Sequence, residues 1–404
     1  MADSNKKKIV VLIPDGMADK PIPELGGKTP MEAADTPCMD SVARAGFCGL
    51  THNVPPGMEP GSDVAIMSIM GFDPKTCYTG RGPIEALSMG VSIPAGESAF
   101  RCNLISVDNG QLIDYSGGHI ETEDSAEIIA SLKDEFDAGG ITFHHGVSFR
   151  NLLLLEGDFS QTRTFAPHDH MNEPWEKYLP QGPGSEKIID LIHKSRPILE
   201  NHPVNRRRAG EGHAPANMIW PWSGGALPET DSYSKKYGIS GAVISAVDLV
   251  QGLGVLAGIE VIKVPGATGM VDTNYEGKTA AALDAMDKYD FVLVHYEGTD
   301  ESAHMGDIGL KMEGIRRFDA EIATPICERL KQFDDYLLII LPDHPTPIEI
   351  RTHTSDPVPF TALSTGIGVK SGVSAFSEKL AASTGIVFKN GHELLGSLIE
   401  NRLP

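Results

Sequence analysis

The chain has 404 residues, 41% hydrophobic and 22% charged, enough for two domains with sizeable cores. No apolar run approaches the ~20 residues a membrane-spanning helix needs, and the N-terminal Met-Ala-Asp-Ser-Asn-Lys-Lys-Lys leads into a strand-like run rather than a signal core, so neither a membrane nor export is expected. With 34 Lys and Arg against 55 Asp and Glu the net charge is −21, which repels nucleic acid and anionic lipid, so an anionic substrate would require a local basic pocket.

In chain order, the first element is a continuous apolar strand, Ile9 to Ile13, ending at Pro14-Asp15-Gly16. Next, Pro60 and Gly61 break the chain and an apolar helix begins at Ser62. Ser62 reads either as an ordinary helix cap or as a nucleophile, since the positive end of a helix and a nearby cation would both favour its alkoxide. The middle of the chain has a different character. Leu104 to Val107, Asp108-Asn109-Gly110 and Gln111 to Tyr115 read as a hairpin, because Asn-Gly suits a turn with positive φ. A helix over Ser125–Phe136 and a strand over Val147–Leu155 follow. The run His202-Pro203-Val204-Asn205-Arg206-Arg207-Arg208 offers guanidinium groups for a carboxylate or phosphate, and Lys263 reads as a cation near the hinge back to the first domain.

Helices are expected over Thr279–Lys288 and Lys311–Gln332. Between and after them come two more apolar strands. Asp290 to Tyr296 leads to Asp300, with His304 one helical turn on; Tyr336 to Leu341 ends at Pro342-Asp343-His344, with His353 shortly after. Apolar runs without alternation are strands buried on both faces, as in a parallel sheet. The expectation is therefore an α/β domain with a parallel sheet and helices on both faces, formed by residues 1–79 and 267–404. Residues 80–266 form an inserted, smaller α+β domain, its boundaries near Tyr78–Arg81 and Val264–Gly269. Three strands that each release an aspartate at one sheet edge, with histidines close by, suit a divalent metal: zinc or manganese for the mixed donors, magnesium for oxygens alone. The five cysteines (Cys38, Cys48, Cys77, Cys102, Cys327) are scattered and without Cys-x-x-Cys, so they read as free thiols in a reducing cytoplasm.

Together, Pro-Asp15-Gly-Met, Pro-Gly-Ser62-Asp-Val-Ala, Thr-Asp300-Glu-Ser-Ala-His304-x-Gly-Asp, Pro-Asp343-His344-Pro-Thr-Pro and Thr-His353 resemble the alkaline phosphatase superfamily. Within it, the chain looks like the archaeal-type branch of the cofactor-independent phosphoglycerate mutases over essentially its whole length. The resemblance implies an alkaline-phosphatase-like fold and two divalent ions, manganese first, with zinc, cobalt or magnesium also fitting, and no requirement for 2,3-bisphosphoglycerate. Asp300, His304 and His353 would hold one ion; Asp15, Ser62, Asp343 and His344 would hold the other. Ser62 would become phosphoserine while 3-phosphoglycerate and 2-phosphoglycerate interconvert, a step of glycolysis and gluconeogenesis. The insert would bind the small anionic phosphorylated substrate and close over it. His119 in Gly-Gly-His resembles the family's substrate-binding histidine, a candidate acid or base, and Arg150 resembles a family arginine that binds substrate. His168-Asp169 matches a motif of the branch, and Arg208 is the best match within the guanidinium run. An ATP-dependent homoserine kinase on the same metal core is the alternative, and the insert would decide between them. A sulfatase is disfavoured, because the setting of Ser62 lacks the Cys/Ser-x-Pro-x-Arg pattern that class requires.

Overall fold

The computed structural model describes residues 6–404. Thirteen strands lie among them: β1 (Lys8–Pro14), β2 (Phe47–Thr51), β3 (Glu97–Asp108), β4 (Gln111–Asp114), β5 (Ile141–Val147), β6 (Arg150–Glu156), β7 (Met218–Gly225), β8 (Gly241–Ile244), β9 (Glu260–Ile262), β10 (Phe291–Tyr296), β11 (Tyr336–Ile340), β12 (Val358–Ser364) and β13 (Val387–Phe388). The chain divides into two units, Met1–Tyr78 with Thr230–Pro404, and Thr79–Glu229.

The first unit carries an eight-stranded sheet in the order β13-β2-β12-β11-β1-β10-β8-β9. Only β12 runs against the rest, since it pairs antiparallel with both β11 and β2. Every residue of β1 and β10 is buried, which explains their lack of alternation: both faces are covered. Val10, Leu12, Val292, Val294, Leu338 and Ile340 form one face and share a core with Ala282, Met286, Ile315, Phe318, Ile322 and Ile326. No helix among the described residues is long and apolar enough to cross a membrane.

The second unit is a five-stranded sheet, β4-β3-β6-β5 with β7 also paired to β3. The helices Thr122–Phe136 and Ser185–Glu200 contribute Ile128, Ile129, Leu132, Ile188, Leu191 and Ile192 to its core. The Asn-Gly turn joins β3 to β4, with Asn109 at φ 46° and Gly110 at φ 77°.

Three sequence expectations are corrected. The second domain boundary lies at Glu229/Thr230, not near Gly266, because β8 pairs with β10 in the large sheet and β9 pairs with β8. These strands are too short for their membership to be legible before the sheet is assembled. Lys263, just past β9 and exposed, consequently belongs to the first unit. The helix expected over Lys311–Gln332 is three segments, Ile308–Arg317, a wide π turn Phe318–Ala323, and Thr324–Leu330 with a proline at its start. The strand expected from Val147 begins at Arg150, because Val147 closes β5 and Ser148, at φ 55°, turns the chain.

Candidate active site

The parallel register places the three aspartates. Ile13 pairs with His295 and Pro14 with Tyr296, while Leu12 pairs with Ile340, so β10, β1 and β11 end side by side. Asp15 continues the ladder, its N–H donating to Tyr296 O at 2.9 Å. Gly16 then turns at φ +60°, and a Cβ there would lie 2.4 Å from Asp300 Oδ1 and 2.6 Å from Thr346 Oγ1; no larger residue fits. Its N–H donates to Asp343 Oδ1 at 3.1 Å. Ser62 opens the helix Ser62–Ile69, and the capping position belongs to Gly61, so the serine side chain is not spent as a cap.

Two clusters result. In one, His344 Nε2 lies 3.1 Å from Asp343 Oδ2, 3.8 Å from Asp15 Oδ1 and 3.2 Å from Ser62 Oγ. In the other, Asp300 Oδ2 lies 3.0 Å from His304 Nε2 and Asp300 Oδ1 lies 3.6 Å from His353 Nε2, with the two imidazole nitrogens 3.0 Å apart. Each cluster could hold a metal ion.

The far sides of the rings decide their tautomers. His304 Nδ1 faces the Arg351 carbonyl at 2.9 Å and His353 Nδ1 faces the Pro60 carbonyl at 3.4 Å; a carbonyl only accepts, so each Nδ1 carries the hydrogen. His344 Nδ1 faces Thr346 Oγ1 at 3.2 Å, and that hydroxyl already donates to Asp300 Oδ1 at 2.5 Å, so it too accepts from the ring. In their neutral forms all three histidines therefore turn an Nε2 lone pair toward buried carboxylates. The buried atoms Asp15 Oδ1 and Asp343 Oδ2 have no hydrogen bond. Lone pairs converging on carboxylate oxygens repel unless a cation lies among them, so these donors fit a divalent ion in each cluster.

The bare residues answer the same crowding by holding protons. Burial, then the neighbouring carboxylates Asp343, Glu297 and Asp300, hold Asp15 well above the usual carboxylate range. Burial and then Asp300 and Asp343 push Glu297 up to about 8. Burial opposes ionisation of Asp300 as well, but hydrogen bonds from His304 and His353 hold it well below the usual value. His304 rises to about 9 through its hydrogen bond to Asp300. This is a site with excess buried negative charge.

The second unit presents its candidates differently. The Arg150 guanidinium lies over the Phe149 ring at 4.5 Å, and Phe149 meets Tyr115 edge-on at 5.5 Å. Tyr115 meets His168 at 6.0 Å, His168 meets Trp222 at 5.5 Å, and Arg101 lies over Trp222 at 4.3 Å. A row of rings, Phe149, Tyr115, His168 and Trp222, thus has a guanidinium at each end, Arg150 and Arg101. Asp169 is exposed, 3.7 Å from His168. His119 is exposed at the end of the turn after Tyr115, at φ 51°, with its N–H donating to Ser116 Oγ at 3.0 Å. Arg208 departs from expectation. It is 4% exposed, and its Nη2 donates to the carbonyls of Gly117, Gly118 and Ala214 at 2.8, 3.0 and 3.2 Å. Its fork holds the turn that carries His119 and is not presented to a ligand.

The profile of the 2,3-bisphosphoglycerate-independent phosphoglycerate mutase family matches residues 43–205. A protein of that name from Methanothrix thermoacetophila is 49% identical over 393 residues, 97% of this chain and 99% of the relative. The chain belongs to the 2,3-bisphosphoglycerate-independent phosphoglycerate mutase family. A probable mutase of the same name from Geobacter sulfurreducens is 45% identical over 97% of this chain and 100% of the relative. The solved cofactor-independent phosphoglycerate mutase of Thermoplasma acidophilum superposes with a TM-score of 0.68 at 27% identity, covering 97% of this chain and all of that one. A solved protein from Pyrococcus horikoshii superposes with a TM-score of 0.81 at 29% identity, covering 98% and 97%. As a phosphoglycerate mutase family member, the chain is an enzyme of the isomerase class.

In this family member, sequence reasoning overlooked His295, Glu297 and Thr346. His295 Nε2 faces two carboxyl groups, Asp15 Oδ2 at 2.7 Å and Glu297 Oε2 at 3.2 Å, which leaves Nδ1 to accept the hydroxyl hydrogen of Ser245 at 3.0 Å. His295 Nε2 then carries a hydrogen and donates to Asp15 Oδ2 at 2.7 Å, the opposite tautomer from the other three. Burial, then Lys278, lowers its pKa to about 3, so the ring is neutral. It orients Asp15 so that Oδ1 faces Asp343 and His344. Although Asp15, His295 and Glu297 are close enough to ligate an ion, the His295 N–H is not a ligand. The available signal was His295 in the last turn of an otherwise apolar strand, a buried polar residue adjacent to the sheet edge.

Proposed function

We propose that the chain interconverts 3-phosphoglycerate and 2-phosphoglycerate through a phosphoserine at Ser62, with two divalent ions beside it. What supports the reading is the convergence of three imidazole Nε2 atoms on the carboxylates of Asp15, Asp300 and Asp343, where the buried Asp15 Oδ1 and Asp343 Oδ2 have no hydrogen bond and Ser62 Oγ lies 3.2 Å from His344 Nε2. Asp300, His304 and His353 would hold one ion; Asp15, Ser62, Asp343 and His344 would hold the other. Manganese is the first choice, with zinc, cobalt or magnesium suited to the same donors. Bound there, such ions neutralise phosphoryl oxygens and favour attack on phosphorus.

Ser62 Oγ, at the positive end of its helix, attacks phosphorus in line. Its proton leaves, the bond from phosphorus to the 3-oxygen breaks, and that oxygen is protonated as glycerate forms. Glycerate reorients, its 2-hydroxyl gives up a proton and takes the phosphoryl group, and Ser62 regains its hydroxyl. The group is retained throughout, so no 2,3-bisphosphoglycerate is required. The second unit supplies the cations that an overall charge of −21 otherwise withholds. Arg150 serves the carboxylate, His168 and Asp169 line the same row, and His119 moves the proton. Arg208 positions the His119 turn, and Lys263 adds a cation at the first unit's sheet edge. The cytoplasm is the proposed location.

Phosphorus NMR of manganese-supplied protein tests this. Growth of 2-phosphoglycerate from 3-phosphoglycerate, with no ATP and no free phosphate, is the expected result. Free phosphate alone would make the protein a phosphatase. No reaction there, with O-phosphohomoserine formed from ATP and homoserine in a second tube, would make it a kinase.

A further inference from the structure

The five thiols are not equivalent. Cys48 and Cys102 are buried, and Cys77 is half-buried with its sulfur 3.5 Å from the Thr76 hydroxyl. Cys38 and Cys327, from opposite ends of the chain, are both half-buried and both line one cavity of about 390 Å³ in the first unit. The fold brings them together through Asp319. Cys38 is the second residue of the helix Pro37–Ala45, and Asp319 accepts the N–H of Cys38 at 3.1 Å and of Met39 at 2.7 Å. The carbonyl of the same Asp319 accepts the hydroxyl of Thr324, which opens the helix that carries Cys327. The π turn Phe318–Ala323 thus ties the starts of both helices to one residue.

The pair is chemically asymmetric. Interaction between the two thiols, which share one cavity wall, lowers the Cys38 pKa despite burial and, with burial, pushes Cys327 up. The first turn of a helix also favours the Cys38 thiolate, although Asp319 opposes it. Cys38, in the first turn of its helix, and Cys327 thus face one cavity whose wall also includes Val42, Leu338 and Leu363. The site uses none of the residues assigned to the phosphoryl chemistry.

We propose that Cys38 and Cys327 form a thiol modification site, in which Cys38 reacts with a peroxide or a low-molecular-weight disulfide and Cys327 resolves the product to an intramolecular disulfide. With hydrogen peroxide, the Cys38 sulfur attacks one oxygen, the O–O bond breaks, and the departing hydroxide leaves as water, giving a sulfenic acid. The Cys327 sulfur attacks Cys38, the S–O bond breaks, and a second water leaves with the Cys327 proton. Two thiols lose two electrons and two protons, and one peroxide becomes two waters. With a small disulfide, Cys38 forms a mixed disulfide and Cys327 displaces the second small thiol.

The test uses the full-length, manganese-supplied protein with limiting hydrogen peroxide, followed by alkylation of the remaining thiols, digestion and mass spectrometry. The expected product is a Cys38–Cys327 linked peptide that dithiothreitol cleaves, formed at least ~10-fold faster than any oxidation of Cys77. In C327S, Cys38 should still react but end as a sulfenic acid or mixed disulfide; in C38S, oxidation of Cys327 should slow to the Cys77 rate or below. Recovery of both Cys38 and Cys327 as alkylated thiols after Cys77 has oxidised would overturn the proposal. So would a wild-type protein whose Cys38 is oxidised while Cys327 remains free.

Discussion

The sheet edge of the first unit and the ring row of the second hold their candidate site residues in opposite ways. At the sheet edge each side chain has a dedicated neighbour: His304 has the Arg351 carbonyl, His344 has Thr346, Asp15 has His295, and Asp343 Oδ1 has the Gly16 N–H. In the second unit, Arg150 is exposed on an aromatic ring and His119 stands on a turn at φ 51°. Donors to a small cation must agree within a few tenths of an ångström, so their rotamers are locked by hydrogen bonds. Groups that recognise a substrate which must turn over during the reaction can instead remain adjustable. The difference predicts that mutations at the edge act on chemistry and ion content, whereas mutations in the row act on substrate affinity.

The largest effect is expected at Ser62. S62A should retain its fold by circular dichroism and fall below about one hundredth of wild-type turnover; a smaller loss would remove the covalent route. Asp343→Asn comes next, with turnover reduced on the order of 10³-fold and ion content, measured by elemental analysis, cut by about half. Unchanged ion content would break the proposed division of ligands. His295→Leu should weaken ion binding about 10–100-fold in titration calorimetry, and His295→Gln, which keeps an N–H for Asp15, should recover part of it.

The two arginines sharpen the contrast. Arg150→Ala should raise KM by about tenfold with little change in Tm. Arg208→Ala leaves three backbone carbonyls without their donor and should destabilise by about 1–3 kcal/mol, lowering Tm before it alters KM. The reverse outcome would return Arg208 to the substrate.

The smallest effect is a pH dependence. Burial holds the Glu378 carboxyl up at about 7, where it accepts from Thr29 Oγ1 at 2.7 Å and from Asp19 N–H at 3.1 Å, in the loop after Asp15. A carboxyl raised in the folded state binds its proton more tightly there than in the unfolded chain. Its contribution is full below about 4.5 and is lost as pH rises through about 7. Tm should drop by a few degrees across that window, and Glu378→Gln should flatten the drop. An unchanged profile would exclude Glu378 as its source.

Much of the sheet edge was legible in one dimension because burial on both faces writes itself as unbroken apolar runs. Asp15, Asp300 and Asp343 each follow such a run, and residues at the ends of neighbouring parallel strands must meet. The α/β class and an inserted second unit followed from the same runs and from the Asn-Gly hairpin. The sequence could not determine which unit takes β8 and β9, because strands of four and three residues have no pattern apart from the strand they pair with. Nor could it separate Arg208 from Arg150. Both are arginines in the same segment of chain, and only the folded turn places three carbonyls around one and an aromatic ring under the other. The tautomers of the histidines, and with them the distinction between His344 as a donor and His295 as its support, belong wholly to the tertiary structure. A ring nitrogen takes its role from the acceptor opposite it, and that acceptor is brought there by folding.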